Sequence, residues 1–141
     1  MTEGMTGVRV KVEDLSMAEL NFWAGRALGL PVVLQGDEVR LIGPIPAECE
    51  PHLGPYISDQ RPLDFVGDPA LGHVVIEWIG FNLTRPTTHQ RERRWWAVTD
   101  WRGENRAHVW QGPVSACGST VSLAVMRALV EATFGASIEL V

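Results

Sequence analysis

The last quarter of the chain constrains the fold most. From about Thr120 to Phe134 it reads TVSLAVMRALVEATF, and Val121, Leu123, Ala124, Val125, Met126, Ala128, Leu129, Val130, Ala132 and Phe134 would cover most of a helix's circumference. Ser122, Arg127 and Glu131 alone form a polar stripe. A surface helix needs one apolar face, whereas a helix that is apolar nearly all round must be covered on more than one side. The rest of the chain therefore has to wrap around this helix. Gly135 supplies its stop, and SIELV offers a final edge strand.

The elements available for wrapping are short. VRVKVEDL alternates Val8, Val10 and Val12 with charged residues, the period of a half-buried strand. Ser16 followed by Glu19 is a capping box, and Leu15 with Leu20 makes the accompanying hydrophobic staple. Leu20, Trp23, Ala24, Ala27 and Leu28 then share a helical face that ends at Gly29. LPVVLQGDEVRLIG reads as two strands around a Gly36-Asp37 turn. Residues 43–72 carry six of the nine prolines and no sustained period, so they read as a long irregular segment. HVVIEWIGFNL reads as a strand with Val74, Ile76 and Trp78 on one face, and RRWWAVTDW and RAHVWQG as a hairpin around Gly103-Glu104-Asn105. Residues 1–7 are expected to be a disordered end. The sum is an α+β class, a mostly antiparallel sheet with two main helices packed on one face, in a single compact domain over residues 8–141.

Composition narrows the function. A net charge of −5 counts against a protein that coats nucleic acid, because phosphate binding needs a cationic footprint. The charge is uneven, though: six arginines fall between Arg85 and His108 against three acidic residues. Two cysteines without CxxC spacing and no apolar leader lead us to expect a cytoplasmic setting, and no apolar run is long enough to span a bilayer.

VRVKVEDLSMAELNFWAGRALGL and GSTVSLAVMRALVEATFGASIELV resemble the NinX-like proteins, a family of small bacteriophage and prophage proteins of unassigned function. In the first block Leu15, Leu20, Trp23, Ala24 and Ala27 match. In the second the matches are Gly118, Leu123, Ala124, Met126, Arg127, Ala128, Leu129, Phe134 and Gly135. Between them, Ser58, Asp64 and Phe65, the LGHVVIE stretch ending in Glu77, and Trp95 with Ala97 are similar to the family's middle motifs. The chain departs from that pattern in having Asp64-Phe65 where an aspartate and tryptophan are usual, and in a proline-rich run before them. The resemblance implies a phage or prophage origin and work in the bacterial cytoplasm; it assigns no activity.

Four places could carry function. In a strand, Trp95, Ala97 and Thr99 share one face and Trp96 the other, so an inward Trp95 leaves Trp96 beside Arg93 or Arg94. An exposed tryptophan with Arg91, Arg93 and Arg94 suits a protein partner or single-stranded nucleic acid. The plainer reading is core aromatics with arginines stacked over them. Gly118, Ser119 and Thr120, at the start of the last helix, could hold an anion, or could simply cap that helix. Arg127, on the polar stripe, calls for a partner, with Asp64 or Glu77 as candidates; the trio is either a structural ion pair or a polar pocket, with Phe65 beside it. Cys49 and His52 lack the second pair that a zinc site needs, so no metal and no cofactor is expected.

The leading expectation is a non-enzymatic accessory protein that binds a host or phage protein. The alternatives are a single-stranded nucleic-acid-binding protein of phage replication or recombination, and a small enzyme with an Asp64, Glu77 and Arg127 pocket. A terminal strand at SIELV leaves a homodimer open.

Overall fold

The computed structural model describes residues 8–58, 61–84, 95–98 and 115–140. At its centre lies the apolar helix α4, Val121–Phe134, with Leu123 through Met126, Ala128 through Val130, and Ala132 all buried. Thr120 starts it, its Oγ1 accepting from Leu123 N at 3.1 Å, and Gly135 ends it at φ 98°. Its cover comes from several directions, as a helix apolar all round requires.

On one side lies helix α1, Met17–Ala27. The capping box is formed: Glu19 N donates to Ser16 Oγ at 3.1 Å and Ser16 N donates to Glu19 Oε1 at 2.9 Å. Leu20, Ala24 and Ala27 turn inward, and the Trp23 ring meets Phe134 of α4 edge to face at 5.2 Å. Gly29, at φ 87°, terminates the helix.

The strands divide among three small antiparallel sheets instead of one. Strand β1, Val8–Lys11, pairs with β7, Ser137–Leu140, bringing the two ends of the described chain together. Strands β2, Val32–Gln35, and β3, Glu38–Leu41, form the expected hairpin, with Gly36 at φ 62° in its turn. The third sheet runs β4, Asn82–Thr84; β5, Trp95–Val98; and β6, Ser115–Gly118, with β5 in the middle. Strand β6 thus takes in Gly118 and runs up to the last helix. The Gly103-Glu104-Asn105 hairpin and residues 1–7 lie outside the described residues.

Two expectations fail in the middle of the chain, for related reasons. HVVIEWIGFNL is mostly helix: α3 spans Pro69–Ile79 and only Asn82–Thr84 is strand. Asp68 caps it, its Oδ1 accepting from Ala70 N at 3.0 Å and Leu71 N at 3.4 Å, with Pro69 at the first turn and Gly80 at φ 91° after the end. A cap, an N-terminal proline and a terminal glycine outweigh the β propensity of Val74, Val75 and Ile76. The buried set Leu71, Gly72, Val75 and Ile79 has helical spacing.

Nor is 43–72 without structure. A one-turn helix α2, Glu50–Leu53, lies within it, and Cys49, Leu53 and Ile57 are buried one turn apart. Leu63 N donates to Val39 O at 2.8 Å, tying the segment to β3. The buried residues of these elements join one hydrophobic cluster around α4.

Candidate functional site

Helices α2 and α3 pack side by side and leave an open groove of about 450 Å³ between them. The geometry follows from the two helices' local chemistry. With Leu71, Val75 and Ile79 committed to the core, α3 turns Val74, Glu77 and Trp78 toward α2. Pro51, in the first turn of α2, and Pro55, just after Gly54, stiffen the opposite wall. The His52 ring lies flat on Trp78, with centroids 4.6 Å apart and planes 12° from parallel. Tyr56 also lines the groove and is 44% exposed. One turn apart on α3, His73 Nε2 approaches Glu77 Oε1 at 3.4 Å with both side chains largely in solvent, a contact of little energetic weight. Flat rings, proline rings and one carboxylate can hold apolar chain and a nearby cation.

A second, smaller depression of about 320 Å³ is lined by Glu13, Asp14, Gly118, Ser119 and Arg127, among others. Arg127 is bound here, but not to Asp64 or Glu77. Its Nη1 donates to Cys117 O at 2.8 Å and its Nη2 to Glu13 O at 3.2 Å, so one guanidinium ties the end of β6 to the 3-10 turn Val12–Asp14. The expected ion pair rested on full burial, and Arg127 is only half-buried; carbonyl acceptors then suffice. Glu131, one turn further along α4, has its pKa raised, by desolvation first and by Glu13 second, with Arg127 pulling the other way.

The anion reading of Gly118, Ser119 and Thr120 meets the carboxylates of Glu13 and Asp14 in the same depression, which repel an anion. Gly118 has a steric reason to be glycine, since a Cβ there would sit 2.8 Å from Ala124 N and from Leu123 Cγ. Thr120 caps the helix.

Asp64 is used elsewhere. Its Oδ1 accepts from Asn21 Nδ2 at 3.0 Å and from Gly67 N at 2.8 Å, while Asn21 Oδ1 accepts from Val66 N at 3.1 Å. Phe65, between them, is fully buried and belongs to the core, so it cannot offer a binding surface. The structure thus separates Asp64, Glu77 and Arg127: one pins a loop to α1, one rims the groove, one braces a strand end.

Trp95 packs against the core and Ala97 is fully buried, so that face of β5 points inward as expected. The side chain of Trp96 and residues Arg91, Arg93 and Arg94 lie outside the described residues. Cys49 is buried, its thiol 3.2 Å from Leu28 O and its pKa pushed up to about 11 by burial and then by Glu48. Among the described residues no three His, Cys, Asp or Glu gather as metal ligands, and no helix is long and apolar enough to cross a membrane.

Sequence reasoning missed the groove and Asn21. Asn21 is buried next to Leu20 on α1, and a polar residue there was the available signal. For the groove the signal was the spacing of Cys49, Leu53 and Ile57, which leaves His52 and Tyr56 turned away from the core.

This fold and site define a small α+β protein with an aromatic groove between two helices. The chain matches no family model, and no curated protein matches it.

Proposed function

We propose that this chain is a non-enzymatic accessory protein, of the phage and prophage kind that its two terminal blocks resemble, and that it binds a host or phage protein in the groove between α2 and α3. The observation that carries this reading is the stacked His52 and Trp78 pair facing open space beside Tyr56. Binding energy in protein interfaces is concentrated in a few residues enriched in tryptophan, tyrosine and arginine, and a groove of this volume falls in the range of ligand sites. Supporting a binding role over catalysis, Asp64, Glu77 and Arg127 take separate partners and so offer no shared acid, base and cation.

The test is affinity purification from phage-infected bacterial lysate with the wild-type chain and with Tyr56→Ser, alongside anisotropy of a single-stranded oligonucleotide at low and physiological salt. A protein retained by the wild type and lost with Tyr56→Ser is the expected result. Retention indifferent to Tyr56→Ser would remove the groove from the interface. Tight oligonucleotide binding that collapses with salt would favour nucleic acid instead.

A further inference from the structure

We infer that the occupant of the groove is an extended, proline-containing segment of the partner protein that carries an arginine or lysine beside its prolines. This rests on the protein-binding reading above and adds the chemistry of what is bound.

Three features lead to it. The first is the nature of the walls. Both are built on helices, α2 and α3, and N–H groups along the α2 wall are bonded within it, as in Leu53 N to Cys49 O at 2.8 Å and Gly54 N to Glu50 O at 2.9 Å. Among the described residues neither wall presents a strand edge, so a ladder of main-chain bonds as in strand addition has no counterpart there. Side-chain contact has to do the holding.

The second feature is length. The wall that α2 begins runs from Pro51 to Tyr56, six residues and at most about 9 Å at ~1.5 Å per residue. A helical ligand anchored at i, i+4 and i+7 needs roughly 10 Å, which this wall does not offer. A polyproline-type segment advances ~3.1 Å per residue, so three consecutive residues span it. Such a segment has no internal hydrogen bonds and little conformational freedom to lose, and it docks in aromatic-lined grooves, as this one is lined by Tyr56 and by the stacked His52 and Trp78 pair.

The third feature is charge. With histidines neutral, Glu77 is, among the described residues, the one lining residue with a formal charge; its side chain is 71% exposed, and the chain as a whole carries −5. A cation beside the prolines is therefore the complementary charge, and a phosphate backbone is repelled.

The experiment pans a surface-displayed library of random short peptides against the full chain. The enriched peptides are then titrated against the wild type, Tyr56→Ser and Glu77→Gln, both substitutions at exposed positions and checked for folding by circular dichroism. Expected are sequences pairing proline with a nearby arginine or lysine, an affinity loss of about tenfold or more with Tyr56→Ser, and a smaller, salt-sensitive loss with Glu77→Gln. Peptides that depend on Tyr56 yet lack either the proline or the basic residue would overturn the occupant's chemistry and leave the groove reading standing. No enrichment, or binding indifferent to Tyr56→Ser, would overturn both.

Discussion

Asn21 on α1 and Asp64, far along the chain, are joined by a 3.0 Å hydrogen bond from Asn21 Nδ2 to Asp64 Oδ1, and the same amide accepts from Val66 N at 3.1 Å. One buried side chain thus holds both ends of the turn that drives Phe65 into the core. Asn21→Ala leaves the Val66 N–H without this acceptor and the Asp64 carboxylate without this donor, and is expected to cost roughly 1–3 kcal/mol. Urea denaturation measures it; an unchanged midpoint would show that solvent replaces the amide without loss.

At Gly72, α3 lies tight against Ser122 of α4. A Cβ there would lie 2.6 Å from Ser122 Oγ and 3.2 Å from Phe65 O. Gly72→Ala is therefore expected to destabilise by about 1–3 kcal/mol through overpacking, despite alanine's better helix propensity. Ser122→Ala in that background should restore part of the loss, because it removes the nearest atom. A double-mutant cycle reads this coupling, and strict additivity would contradict the contact.

Glu131 gives a pH dependence with a definite sign. Its pKa in the folded protein is raised above the ordinary 4.5 by desolvation and then by Glu13, against a lowering by Arg127. The folded state then holds this proton more tightly than the unfolded one, so stability falls as pH rises through the window that starts near 4.5. Glu131→Gln should raise the thermal midpoint at neutral pH, and the gain should vanish in acid, where the glutamate is protonated in both states. Thermal melts of both proteins from pH 3 to pH 8 test this.

Arg127 bonds two carbonyls on separate elements with separate nitrogens. Arg127→Ala should cost roughly 1.5–3 kcal/mol, the range for hydrogen bonds to charged groups. Arg127→Lys should recover only part, since a single ammonium lacks the planar fork that reaches both acceptors. Equal stability of the lysine variant and the wild type, compared by urea midpoints, would deny the bridging role.

What the sequence determined by itself is what nearest neighbours decide. The capping box at Ser16 and Glu19, the Gly36-Asp37 turn and the end of α4 at Gly135 depend on groups within a few residues, and each formed as read. The apolar circumference of α4 also foretold its central place, because burial of that surface has no other solution. For α3 the end signals at Asp68, Pro69 and Gly80 were present too, but Val74, Val75 and Ile76 imitate a strand.

Tertiary structure alone decided the rest: which carbonyls satisfy Arg127, that Asp64 meets Asn21, how the strands divide among three sheets, and that His52 comes to lie on Trp78. These are choices among chemically compatible partners. A guanidinium can donate to a carbonyl or to a carboxylate, and an aspartate accepts from any donor within reach. Only the packing of α1, α3 and α4 around one another determines which group arrives, so no local pattern encodes it.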